Sequence, residues 1–222
     1  MNRLITLILL SSLFVFPVFA QQPAAGTQPP KTTVIHAGHL LDVKTGKMLD
    51  NVNVVIIGDR IERVVVLGAP SGVHPMSTPD TINLPNATLL PGLIDAHTHL
   101  TFDPNFGYQE LGVSIPKEAL IGAKNARLTL EAGFTTVRNL GAKGYADIAL
   151  RDAVNEGMVP GPRIIASGPA LSITGGHCDE NLLPYEWHAR SDGAADGVEG
   201  VQHKTREIIK YGADVIKVCA TG

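Results

Sequence analysis

Two histidines one residue apart, His97 and His99, follow an apolar run that begins at Thr88. The run up to Ile94 is short and apolar, which predicts a strand covered on both faces, as in a parallel sheet. Side chains at i and i+2 of a strand share a face, so the two imidazoles would project side by side from its carboxyl end. Such a pair suits zinc, manganese, iron or cobalt. The spacing predicts half of a metal site; two histidines in an ordinary loop are the alternative, because so short a pattern has many chance matches.

A single lysine, Lys217, lies within the apolar segment Asp214–Val218. A buried ammonium without a partner costs several kcal/mol, so we expect this group to be paired, neutralised or chemically modified. An ion pair with a carboxylate on a neighbouring strand is the purely structural alternative, since lysine is rarely buried alone.

A third histidine, His177, follows two glycines in a connection that runs from Leu171 to about Asp196. Long connections at the mouth of a β/α barrel commonly bind substrate, and glycines let the backbone approach a ligand closely. We expect His177 to contact substrate; a third metal ligand, a hydrogen-bond donor and an exposed loop histidine remain alternatives. Surface or structural roles are expected for the other histidines, which are His36, His39, His74, His188 and His203.

The elements that must position these residues change in character near Pro91. Residues 33–88 contain short β-type segments separated by turns, which predicts a small β-rich domain of hairpins. From residue 89 onward helices, glycines and strands alternate, which predicts parallel β/α units. Three glycines fall where a helix should end before a β-branched strand, and each is predicted to be a left-handed C-cap. They are Gly133, Gly157 and Gly212.

The number of predicted strands limits how much of a barrel this sequence can form. Four can be counted over residues 89–222, whereas a closed TIM-type barrel needs eight. The sequence therefore predicts an α/β protein with the first four units, or N-terminal half, of a (β/α)8 barrel. A barrel that stopped there would leave an unpaired edge strand, so we expect the chain as given to be incomplete.

The first twenty residues are typical of a secretory signal peptide. Arg3 supplies the charged region, Leu4–Val18 the apolar region, and Ala20 ends a small-residue cleavage motif. A membrane anchor is the alternative, but the apolar run is short for a span. We predict cleavage near Ala20, a disordered leader over residues 21–32, and a secreted or periplasmic protein without a stable membrane anchor.

The net charge limits the classes of binding partner, and the two cysteines raise the question of a disulfide. The formal net charge is −3 and the basic residues are not clustered, which argues against nucleic acid as a partner. Cys178 and Cys219 would lie in an oxidising compartment, where a disulfide is one option. Without a supporting motif, we expect both to be unbridged small hydrophobic residues.

Four ordered motifs resemble the amidohydrolase superfamily, and within it the imidazolonepropionase-related branch that includes Xaa-Pro dipeptidases. They are Pro91–His99, Ala132–Arg138, Ile173–His177 and Gly212–Val218. The resemblance covers nearly all of the mature chain. It implies a metal-dependent (β/α)8 barrel beside a β-sandwich built from both chain ends, in agreement with a β-rich domain over residues 33–88.

The resemblance also implies a set of roles. His97 and His99 would bind the more buried of two divalent metal ions, expected to be zinc, and Lys217 would be carboxylated on its amine to bridge the two. Such a centre activates water for attack on a carbonyl. Two more histidines and an acid/base aspartate would come from later strands, so no catalytic acid/base is expected in this sequence. Asn139 stands where relatives often have aspartate.

The resulting hypothesis is a secreted hydrolase of C–N amide bonds with a binuclear metal centre. Its substrate would be a small molecule or dipeptide, with proline or a similar residue at the C-terminus. Cyclic-amide hydrolysis, as in imidazolonepropionase, is one alternative, and a truncated fragment without catalytic activity is another. A homo-oligomer is compatible with each.

Overall fold

A computed structural model describes residues 30–68 and 80–221. The described residues form two compact units, which divide between Leu89 and Leu90. The predicted signal peptide, most of the predicted leader and His74 lie outside the described residues. None of the described helices combines the length and the apolar character that crossing a bilayer requires.

The first unit is a four-stranded sheet with the strand order β3-β2-β1-β4. Its strands are β1 (Thr32–Asp42), β2 (Lys47–Ile57), β3 (Arg60–Val66) and β4 (Asp80–Leu89). β1, β2 and β3 pair in antiparallel fashion as two successive hairpins, whereas β4 runs parallel to β1. Ala37, Val52 and Val54 form the buried part of the sheet.

Two of the remaining histidines make cross-strand contacts in this sheet. His36 Nδ1 lies 3.0 Å from Asn53 Oδ1, and His39 Nδ1 lies 2.7 Å from Asp50 Oδ1. Both pairs join β1 to β2 directly across the ladder. These contacts are structural, in line with the role expected for these histidines.

The second unit is a parallel three-stranded sheet covered by helices, in the order β5-β6-β7. Its elements are β5 (Leu93–Thr98), α1 (Ile115–Glu131), β6 (Phe134–Asn139), α2 (Ala146–Asn155), β7 (Arg163–Ala166) and α3 (Gly197–Lys210). α1 packs against β6 and α2, and α2 packs against β7. Ala126, Val137, Ile148 and Ile164 meet in the core between them. The predicted α/β class and partial barrel are confirmed, and no barrel closes within the described residues.

The helix ends follow the predicted pattern. Gly133, Gly157 and Gly212 have φ angles of +96°, +73° and +97° respectively. An L side chain rarely adopts this backbone conformation, so glycine ends each helix and turns the chain away from it.

The prediction of one buried strand over Thr88–Ile94 is wrong. β4 ends at Leu89, and β5 begins only at Leu93. Pro91 lies between them and carries no N–H to donate, so the apolar run is shared by two strands. Leu93 and Ile94 are 49% and 71% exposed, so β5 is not covered on both faces within the described residues.

The predicted fourth strand, Asp214–Val218, is an extended segment rather than a regular strand. It forms a single bridge to Leu171, whose N–H donates to the carbonyl of Lys217 at 2.8 Å. Nearer β7, the Asp214 carboxylate accepts the Ala166 N–H at 2.9 Å. A side chain therefore takes the place of a backbone acceptor, and the ladder is interrupted.

Cys178 and Cys219 form a disulfide, which corrects the expectation that both are unbridged. Their Cα atoms are 6.0 Å apart although 41 positions separate them in the chain. The extended segment runs beside the long connection, where the N–H of His177 donates to the carbonyl of Thr221 at 3.3 Å. The disulfide thus ties the connection after β7 to the segment that carries Lys217.

Replacing both cysteines by alanine should lower the free energy of unfolding by about 2–4 kcal/mol, because the crosslink restricts the unfolded chain. Urea denaturation measures the change. Reductant should lower the stability of the unaltered protein equally and leave that of the double variant unchanged. Equal stabilities of the two proteins without reductant would contradict the crosslink.

Candidate metal centre and the adjoining cavity

His97 and His99 lie at the carboxyl end of β5, and their ring centroids are 5.4 Å apart. The backbone beneath them is held locally, since the N–H of His97 donates to Asp95 Oδ1 at 3.0 Å. The two imidazoles are therefore neighbours at the end of the sheet where β/α barrels carry their functional groups.

The pKa of the His99 ring reports the charged groups that lie near it. Its pKa lies below the usual value, mainly because burial of the ring disfavours the imidazolium form. Positive charge on His97 and Lys217 lowers the pKa further, whereas the Gly141 carbonyl and the Asp147 carboxylate raise it. Lys217 thus lies near enough to His99 for its charge to act on the ring, and the lowered pKa favours the neutral imidazole, the form that binds metal.

Lys217 itself is half-buried rather than buried inside a strand. Its segment is irregular, and its backbone carbonyl bonds to Leu171. Among residues 30–68 and 80–221, no carboxylate lies within ion-pairing distance of its ammonium. The structural ion pair considered as the alternative is therefore not found in the described part of the chain.

A fully buried asparagine, Asn139, links the segments around the histidines. Its Oδ1 accepts the N–H of Leu100 at 2.6 Å. Its Nδ2 donates to the carbonyl of Gly141 at 3.1 Å and to Asp147 Oδ2 at 3.2 Å. The end of β6 is thereby joined to the residue after His99 and to the first turn of α2.

Asp147 completes this network with the next strand. Its Oδ2 also accepts the N–H of Gly168 at 3.0 Å, and its Oδ1 accepts the N–H of Ile148 at 2.9 Å. The side chain is fully buried, and burial raises the pKa of the carboxyl while these hydrogen bonds oppose the rise. The network leaves neither carboxylate oxygen without a donor, which buried charge requires.

Gly141 lies directly against the His99 ring. A Cβ at this position would lie 3.3 Å from His99 Cε1 and 3.4 Å from Nδ1, and the backbone φ is +144°. The Gly141 carbonyl also attracts a ring proton, since it raises the pKa of His99.

These residues fit one part of a metal centre. Among the described residues, no three His, Cys, Asp or Glu side chains converge as a ready ligand set. Two neighbouring imidazoles would supply two nitrogen ligands, and the Lys217 amine would supply oxygen ligands only after carboxylation.

His177, the predicted substrate contact, is exposed and held through its backbone to Thr221. In the described part of the chain, no hydrogen bond connects its ring to His97 or His99. The neighbouring residue, Cys178, lines a cavity that His99 also lines. Substrate contact by His177 stays a prediction.

The cavity next to His99 has a volume of about 660 Å³. Apolar side chains and several charged groups line it, including His99, Phe102, Tyr108, Glu110, Glu118 and Lys143. Glu110 and Glu118, which sequence reasoning did not identify, are almost fully buried. Concave, mostly apolar sites with a few polar groups are typical of small-molecule binding.

Replacing Lys217 by methionine should raise the pKa of His99, because a nearby positive charge is removed. NMR titration of the histidine ring protons measures it, with His99 assigned by loss of its signal in His99→Asn. Lys210→Met, at the exposed end of α3, is the matched control and should leave the His99 pKa unchanged. If the His99 pKa were the same in Lys217→Met as in the unaltered protein, the claim that Lys217 lies near His99 would be wrong.

Asn139→Asp should lower the free energy of unfolding by roughly 3 kcal/mol at pH 7, since it sets a second carboxyl against buried Asp147. Carboxyl groups whose pKa is raised on folding take up protons in the folded state, so stability rises as the pH falls. The deficit should therefore shrink between pH 7 and pH 5 in urea denaturation. Asn155→Asp, at the exposed end of α2, should show neither effect. A deficit that does not change with pH would refute the coupling to Asp147.

Comparison with known proteins identifies a matching protein family. Residues 88–222 match the amidohydrolase family. Ochratoxinase from Aspergillus niger is 34% identical over 219 residues, which cover 89% of this chain and 44% of the relative. The chain thus spans less than half the length of this curated relative.

Solved structures agree with the sequence match. A Xaa-Pro dipeptidase with bound methionine is 33% identical with a TM-score of 0.74, over 85% of this chain and 47% of that one. The A. niger ochratoxinase structure is 32% identical with a TM-score of 0.73, over 88% of this chain and 48% of that one. The superfamily is generally metal-dependent. A histidine pair after the first strand of a partial β/α barrel, together with these matches, shows that the chain belongs to the amidohydrolase family.

Proposed function

We propose that the protein is a secreted, metal-dependent hydrolase of C–N amide bonds, and that its substrates are dipeptides with a C-terminal proline or a similar residue. The observation that carries the proposal is the position of His97 and His99 side by side at the carboxyl end of β5, with Lys217 near enough for its charge to lower the pKa of His99. Similarity to a Xaa-Pro dipeptidase and to ochratoxinase supports this class of substrate.

Two divalent ions, expected to be zinc, would bind here, where such ions acidify water and polarise a carbonyl. His97 and His99 would together hold the more buried ion through a ring nitrogen of each. The Lys217 amine would add to carbon dioxide with loss of a proton, forming a new N–C bond and a carboxylate. That reaction replaces a cation beside His99 by an anion, and so turns a repelling neighbour into a ligand.

The remaining residues orient these groups. The Gly141 carbonyl raises the pKa of His99, and Asn139 holds that carbonyl through Nδ2. The disulfide holds the connection that bears His177 next to the segment that bears Lys217, and so keeps the proposed substrate contact near the proposed ligands. Disulfides persist in oxidising compartments, which supports secretion or a periplasmic location.

In the full-length protein, hydrolysis of a Xaa-Pro dipeptide should depend on added zinc and stop with a chelator. His97→Asn and His99→Asn should each lower kcat/KM at least about a hundredfold, since even groups behind metal ligands contribute 10–100-fold. His203→Asn, on the exposed face of α3, is the matched control and should retain full activity. Hydrolysis that survives metal removal or loss of His99 would refute the proposal.

A further inference from the structure

Two glutamates line the cavity next to His99 and belong to elements outside the metal centre. Glu110 lies in a short 3-10 helix, Gly107–Gly112, and Glu118 lies in the first turn of α1. They are only 9% and 3% exposed, and both line the cavity. Carboxylates this buried need partners, because loss of hydration is not otherwise compensated.

Each glutamate retains a buried oxygen with no hydrogen-bond donor among the described residues: Oε2 of Glu110 and Oε1 of Glu118. Lys143 Nζ approaches Glu118 Oε1 to 3.6 Å, which is an ion pair but longer than a hydrogen bond. Both orphan atoms are acceptors. A ligand that satisfies them must therefore bring N–H or O–H donors.

The surrounding charge favours a cationic donor. The cavity is lined by two further acidic residues, Glu180 and Asp192, against two basic residues, Lys143 and Arg190. Arg190 is already paired with Asp196 at 3.1 Å. Lys143, which already pairs with Glu118, is thus the basic residue left to compensate two buried carboxylates.

Burial raises the pKa of both Glu110 and Glu118. Lys143 lowers the pKa of both carboxyl groups, and Lys117 acts in the same sense on Glu110, whereas Asp103 raises it. The upward direction persists in spite of these cations. Nearby cations therefore do not fully compensate the two carboxyl groups, and a proton or a bound cation would supply the missing positive charge.

Apolar side chains share the cavity with the two glutamates. Phe102, Tyr108 and Leu111 line the same cavity, and Tyr108 is 79% exposed. Aromatic faces attract cations, and apolar walls accept a stem or a ring. The shape and chemistry of the cavity fit an apolar group that ends in a positive charge.

We propose that Glu110 and Glu118 form a recognition subsite for a primary ammonium or guanidinium group carried by the substrate on an apolar stem or ring. This inference rests on the proposed function, because His99 lines the same cavity. A substrate held by its cation at the glutamates would extend toward the candidate metal centre, which makes basic or amino-terminal groups a determinant of specificity.

The test compares two probes of similar shape, benzylammonium and benzyl alcohol, by isothermal titration calorimetry with the full-length protein. Benzylammonium should bind about tenfold more tightly or better, as expected for a hydrogen bond to a charged group. Glu110→Gln and Glu118→Gln should each remove most of that preference. Glu131→Gln, on the exposed end of α1, makes the same chemical change away from the cavity and should retain it.

Equal affinity for the two probes, or an unchanged preference in both glutamine variants, would overturn the subsite. If thermal melting shows that Glu118→Gln no longer folds, Glu110→Gln decides the outcome. The binding comparison does not require catalysis. Absence of amide hydrolysis would therefore refute the proposed function, and the preference for benzylammonium could still be measured. Loss of the preference with intact hydrolysis would refute the subsite alone.

Discussion

The hydrogen bond between Asn139 Nδ2 and Asp147 Oδ2, 3.2 Å long and fully buried, is the contact on which the site depends. Through it the polypeptide following each of the three parallel strands is joined to its neighbours, at Leu100, at Gly141 and at Gly168. Buried polar groups of this kind fix a single arrangement, because any displacement leaves a charge or an amide without a partner. His99 lies between two of these points, so its orientation follows from the network.

The charges around the His99 ring favour metal binding, with the exception of the Lys217 ammonium. Burial and nearby positive charge lower the pKa of His99 and so favour its neutral form, while the Gly141 carbonyl opposes this shift. Lys217 opposes a metal ion for as long as it is an ammonium. Its proposed carboxylation removes that conflict, and the disulfide two residues away keeps its segment next to the connection after β7.

The sequence predicts the parts of the site that depend on local spacing. The His97–His99 pair, the C-cap glycines and the β/α alternation follow from strand and helix periodicities, which are properties of short segments. The disulfide and the buried glutamates do not, because each depends on which distant segments meet in space. The break at Pro91 is a local effect of a residue without an N–H, which the apolar character of the run outweighed in the prediction. Glu118 stands in the first turn of a helix, where an acidic residue is ordinarily explained by the helix dipole. Asn139 is visible in the sequence as a departure from relatives, but its partners become known only when three strand ends are brought together.

The most direct test of this account is the affinity of the metal-free protein for Co²⁺, followed by visible absorption, in the unaltered protein and in Asn139→Ala. Because the asparagine holds the groups behind His99, its loss should weaken Co²⁺ binding by about 10–100-fold, as for other groups that orient metal ligands. Circular dichroism should show that the variant remains folded. Equal Co²⁺ affinities in two folded proteins would contradict the claim that the buried Asn139–Asp147 pair positions the metal-binding histidine.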